Sequence, residues 1–163
     1  MKRPLLLLDV DGVLFPLGSG PDGERMHDVV LGGWSPVSFS ALVPDRLMRL
    51  SHMYRLAWGT AWGQSANDLI APLLGLPPLP VCDLSDADPP AGTTWKLPAI
   101  ASYLGDRSGA WIDDEIGGDA LQWAATRTHP TAFVRTDPHI GMTDEHVQIL
   151  LAHAEACRAE ATR

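Results

Sequence analysis

Short apolar runs alternate with helix-like segments along the whole chain. The first run is Leu5–Val10, which contains four consecutive leucines and leads into an aspartate-rich stretch. Further strand-like runs lie at 54–58, 79–82, 110–112 and 131–135, between helix-like segments at 44–53, 65–74, 94–104, 119–127 and from 144 onward. Strands that alternate with helices are typical of a parallel sheet covered by helices on both faces. The pattern therefore predicts an α/β fold of three layers with about five strands.

Threonines and acidic residues indicate where several helices begin. Thr93 or Thr94 is expected to cap the helix that ends near residue 104, because a hydroxyl at this position accepts a hydrogen bond from a free backbone N–H. Thr143 precedes two acidic residues, whose charge favours a helix N-terminus, so it is expected to cap the last helix. Asp119 is expected in the first turn of the helix before it.

The segment from 16 to 40 differs from the rest of the chain. It is rich in glycine, proline and serine and has no sustained period, which predicts a long loop or a small hairpin flap. No repeat, low-complexity tract or linker divides the chain. We therefore expect residues 1–163 to form a single domain, with the flap as its one insertion.

Charge and composition narrow the classes of partner. The net charge of −8 disfavours non-specific binding to nucleic acid, because such binding depends on basic patches that contact the phosphate backbone. No apolar stretch approaches the roughly 18 residues of a membrane helix, so no membrane partner is expected. The two cysteines, Cys82 and Cys157, fit a reducing compartment. These features together predict a cytoplasmic protein.

Two carboxylates follow the first predicted strand. Asp9 and Asp11 lie one residue apart, directly before Gly12. The carboxyl ends of strands are where ligands bind in open α/β sheets, and a turn at Gly12 would let both side chains reach one site. A plain Asp-Gly turn is the alternative. Because Asp9 ends a buried apolar run, it needs a cation or hydrogen-bond donors to offset its burial, which favours a functional site.

Four short motifs follow one another along the chain. After Asp9-Val-Asp-Gly-Val13 come Thr60 at the end of the second strand, Lys96 near the start of a later helix, and the pair Asp113-Asp114 after an apolar strand. Each motif is weak alone, but the ordered set resembles the haloacid-dehalogenase-like superfamily, whose first motif is Asp-x-Asp-x-(Thr/Val). The resemblance spans most of the chain. It implies a Rossmann-like sheet with strand order 5-4-1-2-3.

The resemblance also implies catalytic roles. Asp9 would attack phosphorus and form an aspartyl-phosphate that water later hydrolyses. Asp11 would protonate the leaving oxygen and afterwards deprotonate that water. Dehalogenases of the superfamily lack this acid, so Asp11 favours phosphate chemistry. Phosphate oxygens would be held by the side chains of Thr60 and Lys96 and by backbone amides of Asp11, Gly12 and Ala61, with Arg107 as a weaker candidate for the basic position.

A magnesium ion is the cofactor that the resemblance implies. Mg²⁺ prefers hard oxygen ligands. Asp9, the backbone carbonyl of Asp11, and Asp113 or Asp114 would supply them, with Asp113 favoured because the implied strand order places it beside Asp9. Glu115 is a candidate supporting group next to this pair.

The substrate is less defined than the reaction. No segment is long enough for the separate cap domain of many relatives, and in this respect the chain is similar to the uncapped domain of multi-domain RNA-repair proteins. A phosphorylated small molecule or a macromolecular phosphate end would fit an open site, although the acidic charge disfavours nucleic acid. Trp34 in the flap and Trp62 after the second strand are candidate substrate contacts, with core packing as the alternative for both.

Three functions compete at this point. The first is a magnesium-dependent phosphatase acting on phosphomonoesters. The second is a phosphotransferase, which an open site disfavours because water enters freely. The third is a catalytically silent module that binds phosphate or nucleotide, which the intact set Asp9, Asp11, Thr60, Lys96 and Asp113 disfavours.

Overall fold

A computed structural model describes residues 3–33, 35–85 and 90–160 of the chain. In chain order the elements are β1 (Leu5–Leu8), β2 (Met26–Leu31), β3 (Ser35–Ser40), α1 (Val43–Met53), β4 (Arg55–Trp58), a π-helical turn (Ala66–Ile70), α2 (Leu97–Leu104), β5 (Gly109–Asp113), α3 (Gly118–Ala125), β6 (Thr131–Arg135) and α4 (Asp144–Glu160).

The central sheet is parallel, with the strand order β4-β1-β5-β6. β1 pairs on both sides, so that Leu8 lies opposite Trp58 of β4 and Ile112 of β5. All four leucines of β1 are buried, as expected of a strand with neighbours on both edges and helices on both faces. The predicted α/β class, with a parallel sheet and helices, is confirmed.

The two faces of the sheet carry separate cores. Leu6 and Leu8 point into a cluster that includes Leu47 of α1 and Leu150 of α4. Residues 5 and 7 of the same strand point into a second cluster with side chains of α2, β5 and α3. This alternation follows from the two-residue period of a strand, which sends successive side chains to opposite faces. The layers are therefore helix, sheet and helix.

The predicted third strand at 79–82 is reduced to a single bridge between Trp58 and Val81. The backbone N–H of Trp58 donates to the carbonyl of Pro80, and that of Cys82 donates to the carbonyl of Trp58, both at 2.8 Å. Pro80 has no N–H with which to continue the ladder. Within the described residues the sheet thus has four strands, in the order 5-4-1-2 of the predicted numbering.

Two predicted helix features also differ in the structure. The segment after Thr60 is a π-helical turn at Ala66–Ile70 rather than a full helix over 65–74. α2 begins at Leu97 without a side-chain cap. The hydroxyl of Thr94 instead donates to Asp119, which lies in the first turn of α3. A long-range partner has therefore replaced the local cap that the sequence predicted.

The segment after β1 contains a hairpin of β2 and β3, with Met26 opposite Ser40. Its base is tied to the helices by Arg46 of α1, which is only 1 % exposed. The guanidinium contacts both carboxylate oxygens of Glu24, donates to the carbonyl of Met142 at 3.0 Å and to Asp144 at 3.1 Å. One buried cation thus joins the flap, α1 and the start of α4.

Replacing Arg46 by methionine is expected to lower the free energy of unfolding by about 3–5 kcal/mol, because it leaves Glu24 without its cation in a partly buried position. Arg49→Met is the matched control on the same helix. Its side chain is 37 % exposed and has a single ion pair of 3.6 Å, so the expected loss is below about 1 kcal/mol. Urea unfolding of both variants measures the difference. Equal midpoints would show that the Arg46 cluster does not hold the flap.

Both cysteines are unpaired and buried. Burial raises the pKa of the Cys82 thiol to about 11, so this sulfur stays protonated at neutral pH. Among the residues that the structure describes, no helix combines the length and the apolar character needed to cross a bilayer.

Candidate active site

The chain turns sharply after β1. Asp9 continues the strand by one residue, since its N–H donates to the carbonyl of Ile112 at 3.1 Å. The carbonyl of Val10 then accepts hydrogen bonds from the next turn, from the N–H groups of Val13, Leu14 and Phe15. Asp9 itself is only 3 % exposed, whereas Asp11 is exposed. The turn therefore places one buried and one exposed carboxylate at the same end of the strand.

Gly12 is required where it stands. Its φ of +73° lies in the left-handed region, and a Cβ on it would come within 2.6 Å of the carboxyl carbon of Asp114. Its N–H donates to the carbonyl of Phe15 at 2.8 Å, so this predicted phosphate-binding amide is already used within the turn. Its carbonyl accepts from the buried hydroxyl of Thr136 at 2.7 Å. Gly12 thus serves to let Asp114 approach the loop.

Three carboxylates converge at the ends of β1 and β5. One oxygen each from Asp9, Asp113 and Asp114 lies within 4.8 Å of the other two. The register of the sheet causes this, because Leu8 pairs with Ile112 and the next residue on each strand is an aspartate. The structure therefore brings together the first and fourth motifs, with both residues of the acidic pair near Asp9.

Lys96 contacts two of these carboxylates. Its Nζ lies 3.0 Å from Oδ2 of Asp9 and 2.7 Å from Oδ2 of Asp113, and all three side chains are buried. Burial lowers the pKa of Lys96, but the charges of Asp9 and Asp113 outweigh it and raise the pKa overall. Lys96 is therefore charged, and it neutralises only part of the carboxylate cluster.

The pKa values of the carboxylates reflect this excess of negative charge. Burial raises the pKa of Asp9, although Lys96 acts in the opposite direction. Burial and the charge of Asp9 raise the pKa of Asp113 to about 7. The same two causes raise the pKa of Asp114. Three clustered carboxylates with one ammonium are an arrangement that a divalent cation would stabilise, and their oxygens are the donors that Mg²⁺ prefers.

Thr60 lies two residues beyond β4 and is buried. Its Oγ1 accepts a hydrogen bond from the backbone N–H of Trp62 at 3.3 Å, and its hydroxyl helps to lower the pKa of Asp9. Ala61, the residue between Thr60 and Trp62, is exposed. The second motif is thus adjacent to the nucleophile candidate, because β4 lies beside β1 in the sheet.

Trp62 contacts the exposed carboxylate. Its indole Nε1 donates to Oδ2 of Asp11 at 2.9 Å. The sequence predicted Trp62 only as an aromatic ring at the mouth of the site. It did not predict the bond to Asp11, because the two residues are 51 positions apart and no local pattern connects them. Trp34, the other predicted substrate contact, lies outside the described residues.

The segment that carries Lys96 is held by long-range hydrogen bonds that the sequence did not predict, although Thr94, Glu115 and Asp119 had been singled out for other roles. The backbone N–H and the hydroxyl of Thr94 donate to the two oxygens of Asp119, at 2.9 and 2.6 Å, and the N–H of Gly117 donates to the Thr94 hydroxyl at 2.9 Å. The indole of Trp95 donates to Glu115 at 2.9 Å. These bonds tie the start of α2 to the loop after β5, and so place Lys96 beside Asp113.

Two grooves border the site. One, of about 640 Å³, lies between the turn after β1 and the hairpin, with Asp11 and Trp62 on its wall. The other, of about 460 Å³, lies next to Thr60 and Ala61 and extends to Trp95. Asp11 therefore lines the groove beside the hairpin, and Thr60 lines the other groove.

Comparisons with known proteins give the family of this chain. Residues 5–147 match the family model described as the HAD domain in Swiss Army Knife RNA repair proteins, where HAD stands for haloacid dehalogenase. No curated protein is similar enough to count as a match. A solved structure of Fcp1, an essential RNA polymerase II CTD phosphatase, aligns with 98 % of this chain and 50 % of its own, at 15 % identity and a TM-score of 0.44. The chain thus spans half of that structure. On the family match, which covers all four motifs, this chain belongs to the HAD domains of Swiss Army Knife RNA repair proteins.

Proposed function

We propose that this chain is a magnesium-dependent phosphomonoester hydrolase that acts through an aspartyl-phosphate on Asp9. The observation that carries the proposal is the pairing of a buried aspartate with a buried lysine, at 3.0 Å, inside a cluster of two further carboxylates. A structural ion pair would not require the extra acidic residues. A site that receives both a divalent cation and a phosphate would require them.

The residues can be assigned to the two half-reactions. In the first, a carboxylate oxygen of Asp9 attacks phosphorus, the bond from phosphorus to the leaving oxygen breaks, and Asp11 donates a proton to that oxygen. In the second, Asp11 removes a proton from a water that attacks the phosphoryl group, and Asp9 is released. Burial of Asp9 and exposure of Asp11 suit these roles, since only the second must meet the leaving group and water.

Charge around the transferred group would come from side chains and a metal. The positive charge of Lys96 would offset the negative charge of Asp9. On the β4 side, the Thr60 hydroxyl and the Ala61 amide would donate hydrogen bonds to the phosphate oxygens. Asp9, the backbone carbonyl of Asp11, Asp113 and Asp114 would hold Mg²⁺. When bound, the ion supplies positive charge that draws in the phosphate and stabilises the transition state.

Hydrolysis of an aryl phosphate by the purified chain, with Mg²⁺ or with EDTA, tests the proposal. We expect turnover with Mg²⁺, loss of turnover with EDTA, and recovery when Mg²⁺ is returned.

Asp11→Asn should lower turnover of alkyl phosphates strongly, because the leaving alkoxide then has no proton donor. Activity that is insensitive to EDTA would contradict the metal, and normal activity of Asp11→Asn would contradict the assigned acid.

Trp62→Phe is expected to lower kcat while leaving KM within about twofold. The variant keeps an aromatic ring but loses the N–H that holds Asp11, so the proton donor is less well placed. The loss should be about tenfold for an alkyl phosphate and smaller for 4-nitrophenyl phosphate, whose leaving group needs little protonation, so that only the action of Asp11 on water is affected. Trp123→Phe makes the same change on α3, where the ring packs on Phe133 rather than in the candidate site, and is the control. No loss with the alkyl phosphate would show that Trp62 does not act through Asp11.

A silent phosphate-binding module and a phosphotransferase remain the alternatives. A folded chain that binds Mg²⁺ and phosphate without turnover of any ester would favour the first. Transfer to an added alcohol in preference to water would favour the second. As part of the same proposal, the chain works in the cytoplasm as a single domain, with the hairpin of β2 and β3 in place of a separate cap.

A further inference from the structure

The larger groove begins at the proposed proton donor. Asp11 and Trp62 line one end of it, and strands β2 and β3 line the other. During the first half-reaction Asp11 must reach the leaving oxygen. Whatever that oxygen is attached to therefore extends from Asp11 along this groove, toward the hairpin.

The walls of the groove are largely apolar. Leu17 and Val30 line it, and they are 63 % and 61 % exposed, more than any other large hydrophobic side chain noted as exposed in the described part of the chain. Phe15, Val29 and Val37 continue the same surface. Apolar side chains left open to water beside a catalytic acid indicate a surface that a ligand covers.

The charges in the groove have one sign. Asp28 of β2 is exposed on its wall, and Asp11 is the other charged residue there. Among the described residues, no lysine, arginine or histidine lines this groove. A leaving group with further phosphates or a carboxylate would thus find no cation and would meet the carboxylate of Asp28, since Asp11 carries the proton that it donates.

We propose that this groove is the leaving-group subsite, that it takes an uncharged or cationic apolar organic group, and that Asp28 sets the preference for charge. The inference rests on the proposed hydrolase function and adds the class of substrate: small aryl or alkyl phosphomonoesters without a second anionic group. Phosphate ends of nucleic acid strands are the class that the groove rejects.

Three substrates with the same phenolic leaving oxygen test the charge preference. They are the phosphate esters of tyramine, 4-ethylphenol and 3-(4-hydroxyphenyl)propanoate, which end in an ammonium, a methyl and a carboxylate. We expect kcat/KM to be highest for the ammonium ester and about five- to tenfold lower for the carboxylate ester than for the ethyl ester. An oligoribonucleotide with a terminal phosphate is the fourth substrate and should be the poorest.

Asp28→Asn should remove the preference among the three esters, so that their kcat/KM values become equal within about twofold. Asp22→Asn, which makes the same charge change in the same segment but outside the groove, should retain it. Equal magnesium-dependent turnover of all three esters by the unmodified chain would leave the hydrolase standing and overturn the subsite. Hydrolysis of the oligoribonucleotide that is faster than hydrolysis of the three esters would also overturn the subsite and leave the hydrolase standing. No magnesium-dependent turnover of any ester would overturn the hydrolase and the subsite together.

Discussion

Replacing Asp9 by asparagine is expected to lower turnover by about four orders of magnitude or more while the protein stays folded. The amide cannot attack phosphorus, so the covalent step is lost. Burial raises the pKa of Asp9, which means that its charged form is unfavourable in the folded protein. Removing that charge in a side chain of nearly the same shape should therefore leave the melting temperature equal or higher.

Turnover of an aryl phosphate and thermal unfolding, measured on the same preparation, check both parts of this expectation. Asp68→Asn, on the π-helical turn away from the carboxylate cluster, is a matched control that should change neither quantity. A folded Asp9→Asn protein with more than about one per cent of normal turnover would contradict the covalent mechanism. In that case Asp9 would act only through the metal or through charge.

Replacing Lys96 by methionine should both abolish turnover and destabilise the fold. The change leaves Asp9 and Asp113 buried without their shared cation, which costs about 3–5 kcal/mol when a buried pair is broken. Turnover falls because the nucleophile and the phosphate then repel each other without compensation. Urea unfolding in EDTA and a steady-state assay in Mg²⁺ measure the two effects.

A second variant separates loss of charge from loss of packing. The double variant Lys96→Met with Asp113→Asn has one unpaired buried carboxylate instead of two. Part of the stability lost in Lys96→Met should therefore return, while turnover stays absent. Mg²⁺ should raise the melting temperature of the single variant more than that of the unmodified protein, since the ion offsets the same carboxylates. A Lys96→Met protein as stable in EDTA as the original would show that the ion pair is not what offsets burial of Asp9.

Local pattern was sufficient for the order along the chain of the four sheet strands and of helices α1 to α4. The two-residue and helical periods predicted the strands at β1, β4, β5 and β6, because burial on one or both faces leaves a regular trace in sequence. The short motif around Asp9 marked the end of β1 as the candidate site, and the ordered Thr60, Lys96 and Asp113 were predicted to complete it. These residues belong to strand ends and helix starts, whose positions local pattern can find.

Long-range contacts decided what local pattern could not. The bond from Trp62 to Asp11, that from Thr94 to Asp119 and the cluster around Arg46 each join residues far apart in the chain. The capping prediction for Thr94 failed for this reason: its hydroxyl oxygen accepts from the distant N–H of Gly117, while its proton is donated to Asp119.

The chain alone thus determined which side chains are candidates for the chemistry and where each sits on its strand or loop. Only the folded structure decided how they face one another: that Asp114 joins Asp9 and Asp113 because Gly12 leaves room, and that the groove beyond Asp11 is apolar and acidic. The physical reason is that periodicity and motifs report on neighbours in sequence. Distances between side chains depend on the register of strands and on packing between elements, which no short segment contains.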